Sequence, residues 1–192
     1  MSALDLAKQL RDTFGDKLSE PVEFRGEITL QLADAEIVAE VCRCAKQALG
    51  FNFLLDITSV DNYGQDPRWT VVYELYGLGH KCHLRLKTDV SEERSELPTI
   101  TAVWRTAEWH EREIYDLMGI RFRGHPDLRR IIMWEGYPYH PLRKDFPVTG
   151  KASELPGVAF SRTAPSEGGP FVTTPGARDA SAREPRVRTP ED

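Results

Sequence analysis

Three stretches of mostly apolar, partly alternating sequence follow one another between residues 51 and 90: Phe51–Val60 (FNFLLDITSV), Trp69–Leu78 (WTVVYELYGL) and Lys81–Val90 (KCHLRLKTDV). Asp61–Pro67 (DNYGQDP) is turn chemistry, and Gly77-Leu78-Gly79-His80 is short enough for a hairpin. Strands joined this way sit side by side, so they imply an antiparallel or mixed sheet. Upstream, residues 3–14 place Leu4, Leu6, Leu10 and Phe14 near helical spacing and stop at Gly15. Val22–Phe24 and Ile28–Leu32 alternate around Gly26 as two short strands. Asp34 can cap a helix over Ala35–Leu49, whose apolar residues recur every three or four positions up to Gly50. Past Pro98, Thr99–Arg105 and Ala107–Met118 read as two more helices, the second stopped by Gly119. The expected fold is α+β, a mixed or antiparallel sheet with helices over one face, in the order α-β-β-α-β-β-β-α-α.

The chain has 192 residues, 40% of them hydrophobic, which suits one domain with a real core plus something extra. That extra is the end of the chain. Residues 148–192 hold 6 Pro and 5 Gly, with Phe160 and Phe171 as the aromatics. Such a segment has little apolar surface to offset its ordering entropy, so the expected division is a domain over 1–147 and an extended tail over 148–192 lying on partners, with Phe160 and Phe171 as anchors. No stretch approaches the roughly 18 apolar residues of a membrane-spanning helix, and the N-terminus lacks the layout of a secretory signal. The expected setting is cytoplasmic or peripheral to a membrane.

Three cysteines are too few for a four-thiolate iron–sulfur cluster and suit a reducing compartment better than a disulfide framework. Cys42 and Cys44, with Cys82, His80 and His83, invite a zinc site. Positions i and i+2 of a helix point about 160° apart, so structural thiols are the better reading. Gly77-Leu78-Gly79 lacks the third glycine and the helix of a dinucleotide fingerprint, and His110-Glu111 lacks a second histidine four residues on. Nucleophile-elbow and phosphate-loop patterns are absent.

What remains is Trp109–Pro147. The net charge of −5 divides unevenly: residues 121–144 carry six basic and two acidic side chains, while residues 1–120 carry 13 and 21. A basic island of this kind fits either phosphates or an acidic protein surface. On a helical wheel Trp109, His110, Glu113, Ile114 and Leu117 share one face, which would bury the Glu113 carboxylate and require Arg129 or Arg130 as its partner. Glu111–Asp116 divides evenly between a lock inside the fold and an interface. Arg143, Lys144 and Asp145, between prolines and ahead of the tail, favour an interface.

The same stretch resembles the thirty-kilodalton subunit of respiratory complex I, which is the C subunit of bacterial NADH-quinone oxidoreductase. The residues that carry the resemblance are Glu111-Arg112-Glu113, Tyr115-Asp116-Leu117, Gly119-Ile120, Phe122, Gly124-His125-Pro126-Asp127-Leu128, Arg129-Arg130-Ile131 and His140-Pro141-Leu142-Arg143-Lys144-Asp145-Phe146-Pro147. The order of elements, the DITSVD run at residues 56–61 and the position of Trp109 are also similar, over roughly residues 1–147. The resemblance implies a structural subunit of the hydrophilic arm with no cofactor or metal of its own. It would pack beside the large quinone-site subunit and near cluster-bearing subunits, in a complex where FMN and Fe-S clusters on other chains pass electrons from NADH to quinone and drive proton transport. Related subunits serve ferredoxin-fed photosynthetic complexes, deazaflavin-fed dehydrogenases and membrane-bound hydrogenases. From the basic island alone, a nucleic-acid-binding module is the reading from a different class.

Overall fold

The computed structural model describes residues 2–150. The tail expected over 148–192, with Phe160 and Phe171, lies almost wholly outside the described residues, and contacts divide the chain between Asp145 and Phe146. The elements are α1 (Ala3–Phe14), β1 (Val22–Phe24), β2 (Glu27–Leu32), α2 (Val38–Gln47), β3 (Phe53–Asp61), β4 (Trp69–Gly77), β5 (Cys82–Val90), β6 (Glu96–Pro98), α3 (Ala107–Met118) and β7 (Arg121–Arg123). Single 3-10 turns at Gly15–Lys17 and Ala35–Ile37 close α1 and open α2. Ser2 and Asp5 cap α1 reciprocally, and Asp34 accepts the Glu36 amide at 3.0 Å ahead of α2.

The main sheet runs β1-β2-β5-β4-β3 and is mixed: β2 lies parallel to β5, and the other pairs are antiparallel. Register assigns the two faces. Ile57, Tyr73, Leu86 and Leu30 line up across four strands, as do Leu54, Leu75 and Leu84, and both rows are buried with Leu6 and Leu10 of α1 and Val38, Val41 and Ala45 of α2. The opposite face is polar and partly exposed, with Arg85 paired to Glu74 and Glu27 and with the Tyr76 and His83 rings in tilted contact. Among the described residues, helices therefore cover one face only. Cys42 is buried and Cys44 half-buried, as packing thiols would be, and burial pushes the Cys42 thiol well above its ordinary range.

One expected helix is absent. Residues Thr99–Arg105 form tight turns between β6 and α3, and β6 pairs in parallel with β7, two short strands that no alternation in the sequence announces. The Ile100 amide donates to the Glu111 carboxylate at 2.8 Å and the Thr101 amide to Thr99 Oγ1 at 3.1 Å, while the Val103 and Trp104 amides both return to the Ile100 carbonyl and the Ala107 amide to that of Trp104, so the run closes as separate turns and does not continue as a helix. The order with all strands counted is α-β-β-α-β-β-β-β-α-β.

The two faces make a contrast that melting curves can check. Leu86→Ala should cost about 2–5 kcal/mol, whereas Lys87→Ala, one residue along on the polar face, should stay within about 0.5 kcal/mol. Equal losses would mean that the polar face is packed as well.

Candidate functional site: the segment from Trp109 to Asp145

Helix α3 is covered on two sides, and this moves its buried face away from the expected one. Ala107, Glu111, Arg112, Ile114, Asp116, Leu117 and Met118 are buried, whereas Trp109 is 58% exposed and Glu113 is exposed. The expected pairing of Glu113 with Arg129 or Arg130 does not form. Arg129 pairs with Asp127 at 2.8 Å, and Arg130 reaches Asp116 at 2.6 Å.

Asp116 organises the loop that comes after β7. Its Oδ2 accepts the amides of Ile131, Ile132 and Met133 at 3.0, 2.7 and 2.8 Å, while Oδ1 takes the Arg130 guanidinium. Burial alone would raise the Asp116 pKa, but the three amides and Arg130 outweigh it and hold the carboxyl below its usual range. Arg112 clamps the same loop from the side, donating to the carbonyls of Arg129 and Arg130 at 3.2 and 3.1 Å with its guanidinium 5.2 Å from the Trp109 ring. A stretch without strand or helix is thus fixed by charge-assisted hydrogen bonds.

The end of α3 is capped by the next part of the motif. A helix leaves its last carbonyls without partners. Here His140 Nδ1 donates to the Asp116 carbonyl at 2.9 Å, the Leu142 amide to Leu117 at 3.1 Å, and Arg143 Nε to Met118 at 2.6 Å. Gly119, at φ +79°, makes this possible: a Cβ there would collide with Arg143 Nη2 and lie 2.7 Å from the His140 ring. Burial lowers the His140 pKa, against the hydrogen bond to Asp116.

Two further locks leave a fainter trace in the sequence. Arg68, 4% exposed, forms a bidentate pair with Asp61 at 2.9 and 3.0 Å, binds Asp145 at 2.7 Å and Glu92 at 2.5 Å, and lies 4.4 Å from the Trp69 ring. The Lys144 amide also donates to Asp61, at 2.8 Å. Burial raises the Asp61 pKa, but Arg68 and the Lys144 amide bring it below normal. The signal for this lock is parity: Asp61 falls on the core side of β3 with Ile57 and Ser59, and a carboxylate there requires a cation.

Glu111 is the other lock. It is fully buried, accepts from Ile100 N and contacts Thr99 Oγ1 at 2.5 Å, and burial pushes its pKa up to about 7 against those two hydrogen bonds. Cys42, Tyr73 and His125 are the titratable groups facing it, with His125 Nε2 4.0 Å away. The His125 side chain is itself buried. Its Nδ1 accepts the Asp127 amide at 3.0 Å, so Nε2 carries the hydrogen that bonds the Glu108 carbonyl at 3.1 Å.

Of the residues read as interface, then, Glu111, Arg112, Asp116 and the His125 side chain are inside the fold, and Arg130, His140 and Arg143 are half-buried and committed to internal bonds. Glu113, Gly124, Pro126, Asp127, Arg129, Lys144 and Asp145 are exposed; Pro141 and Phe146 are half-buried. The basic island is largely spent as well: Arg123 pairs with Glu36 and Glu96, Arg130 with Asp116, and Arg143 with a carbonyl. Such guanidinium groups are poorly placed to form the continuous phosphate track that nucleic-acid binding needs. Among the described residues no group of three or more His, Cys, Asp or Glu is arranged to hold a metal, and no helix is long and apolar enough to cross a membrane.

Comparison with known proteins gives this arrangement a family. Residues 32–152 match the family described as respiratory-chain NADH dehydrogenase, 30 Kd subunit. The chain belongs to that family. It is 47% identical to the C subunit of NADH-quinone oxidoreductase from Geotalea uraniireducens, over 76% of this chain and 88% of that protein. It is 41% identical to the C 2 subunit of NADH-quinone oxidoreductase from Rhizobium etli, over 95% and 94%. A solved trypsin-resistant fragment of Nqo5 is 34% identical, with a TM-score of 0.56 over 65% of this chain and 97% of the fragment. A chain of an archaeal membrane-bound sulfane sulfur reductase shares the fold at a TM-score of 0.66 and 22% identity. In this member of the thirty-kilodalton family, many residues of the resemblance serve as internal locks of the fold.

Two substitutions separate the locks. Asp116→Asn turns one acceptor oxygen into a donor facing amides and should cost about 3 kcal/mol or more, measured by denaturant unfolding near neutral pH. Glu111→Gln should do the reverse. Because the folded-state value of Glu111 lies above that of the unfolded chain, its contribution is present at acid pH and lost as pH rises through about 7. The variant should therefore be more stable than the parent at pH 8, by on the order of 3 kcal/mol, and similar at pH 4. A parent that gains stability over this range relative to Glu111→Gln would contradict this.

Proposed function

We propose that this chain works as a structural subunit of the hydrophilic arm of NADH-quinone oxidoreductase, carrying none of the redox groups and packing chiefly against the large quinone-site subunit. FMN, Fe-S clusters and quinone would be handled by neighbouring subunits, and the chain would be held at the cytoplasmic side of the membrane through the complex. The observation that carries this reading is how the motif spends its polar groups. They bind one another, the end of α3 and Arg68, and the loop they fix leaves Trp109, Ile132 and Leu142 58–60% exposed, with Ile131 beside them at 37%. A rigid segment that holds aromatic and aliphatic side chains in water suits an interface, because preorganisation removes ordering cost from association. The subunit names of the relatives favour NADH as the electron donor over ferredoxin, deazaflavin or hydrogen.

Native isolation from membranes with a tag on this chain should recover the other subunits of the oxidoreductase in stoichiometric amounts, together with NADH oxidation. Recovery of the chain alone, or with nucleic acid, would contradict the reading. Ile132→Ser should leave the free chain within about 0.5 kcal/mol of the parent, since the side chain is exposed and no charge is added beside Asp116, yet lower its recovery in the complex on the order of tenfold.

A further inference from the structure

Strand β3 ends the main sheet, so among the described residues one side of its backbone has no strand beside it. Natural sheets protect such edges by making them short, charged or proline-bearing, or by covering them. β3 is nine residues long, has no lysine or proline, and exposes Phe53, Leu55 and Val60 at 44–52%. A cleft of about 130 Å³ runs between Asp56–Ser59 of this strand and the Glu113 and Leu117 side of α3, with Leu142 in its wall. Successive side chains of a strand point to opposite faces, so four consecutive residues lining one cleft mean that it follows the backbone edge. Three recognition groups there are unspent or nearly so. Ser59 Oγ is buried without a partner among the described residues, the exposed Glu113 carboxylate has no ion pair among them, and Asp56 meets only His110, at 3.1 Å.

We infer that the free edge of β3 receives an extended, basic segment of a neighbouring subunit, which adds to the sheet as a sixth strand and places a Lys or Arg between Glu113 and Asp56. This rests on the reading of the chain as a subunit. Strand addition satisfies the edge amides and carbonyls, while the cleft takes an alternate side chain of the incoming segment. Both charged residues in the cleft wall, Asp56 and Glu113, are carboxylates, which selects a basic occupant. A second copy of this chain fits poorly, because a two-fold pairing of β3 with itself brings Asp56 and Glu113 of both copies to one seam with no Lys or Arg of the strand to offset them.

The test is amide hydrogen exchange, read by mass spectrometry over residues 53–61, in the free full chain and in the isolated complex. Exchange of the edge amides should slow by about tenfold or more in the complex, and Glu113→Lys should abolish that protection while leaving the free chain's melting temperature unchanged. A complex that forms without protecting residues 53–61 overturns the inference and leaves the subunit reading intact. Protection in the free chain that rises with its own concentration assigns the edge to a second copy and also overturns it. Failure to recover any complex overturns both.

Discussion

One carboxylate with no access to water determines how the second half of this domain is built. Asp116 lies near the end of α3, and a charge there is tolerated only when hydrogen bonds replace the water it has lost. Its donors come from Arg130 and from three successive amides, so the segment after β7 has to turn back onto the helix. Once it does, His140, Leu142 and Arg143 fall within reach of the helix's last carbonyls, and Asp145 within reach of Arg68. The sheet and the motif are thereby tied together at the last turn of α3 and at the end of β3.

Glu111 and Asp116, five residues apart on one helix and both without exposure, are treated in opposite ways by their surroundings. Asp116 has enough donors to remain ionised, and its pKa falls. Glu111 has one amide and one hydroxyl, in a buried site shared with Tyr73, Cys42 and the His125 ring, and its pKa rises. Glu111 lies deeper among the surrounding atoms and has fewer donors, and both differences separate the two. An interface assembled on such a domain gains from Asp116 at physiological pH, while the penalty from Glu111 builds as pH rises from the ordinary carboxyl range to about 7 and levels off above it.

Much of the fold was legible where periodicity is local. The strands at 51–90, the helices α1 and α2, the Gly15 stop and the Asp34 cap follow from spacing and turn chemistry, because one side of each element faces the core; the Ser2–Asp5 cap and the end of α2 at Gln47 do not. Whether the sheet was mixed depended on β2 lying beside β5, a pairing between residues more than fifty positions apart, and no local pattern reports it. Residues Thr99–Arg105 look helical, yet they close as separate turns on the Ile100 and Trp104 carbonyls. The wheel of α3 placed Glu113 inside and Trp109 with it, because a wheel ranks side chains by hydrophobicity and has no knowledge of Ile131–Met133 waiting to satisfy Asp116. The motif itself was plain in the sequence, and so was its family. Its physical meaning was not, since each residue acts through a partner far along the chain.

The order of the whole segment after β7 therefore depends on residues 131–133 being held by Asp116 in the free chain, before any partner binds. Amide exchange of Ile131, Ile132 and Met133, followed residue by residue by nuclear magnetic resonance on the isolated protein, tests this directly. These three amides belong to no strand or helix, yet they should be protected to within about tenfold of the core amides of β4. Exchange as fast as in an unstructured loop would show that the segment is ordered only by its partner, and would contradict the role given to Asp116.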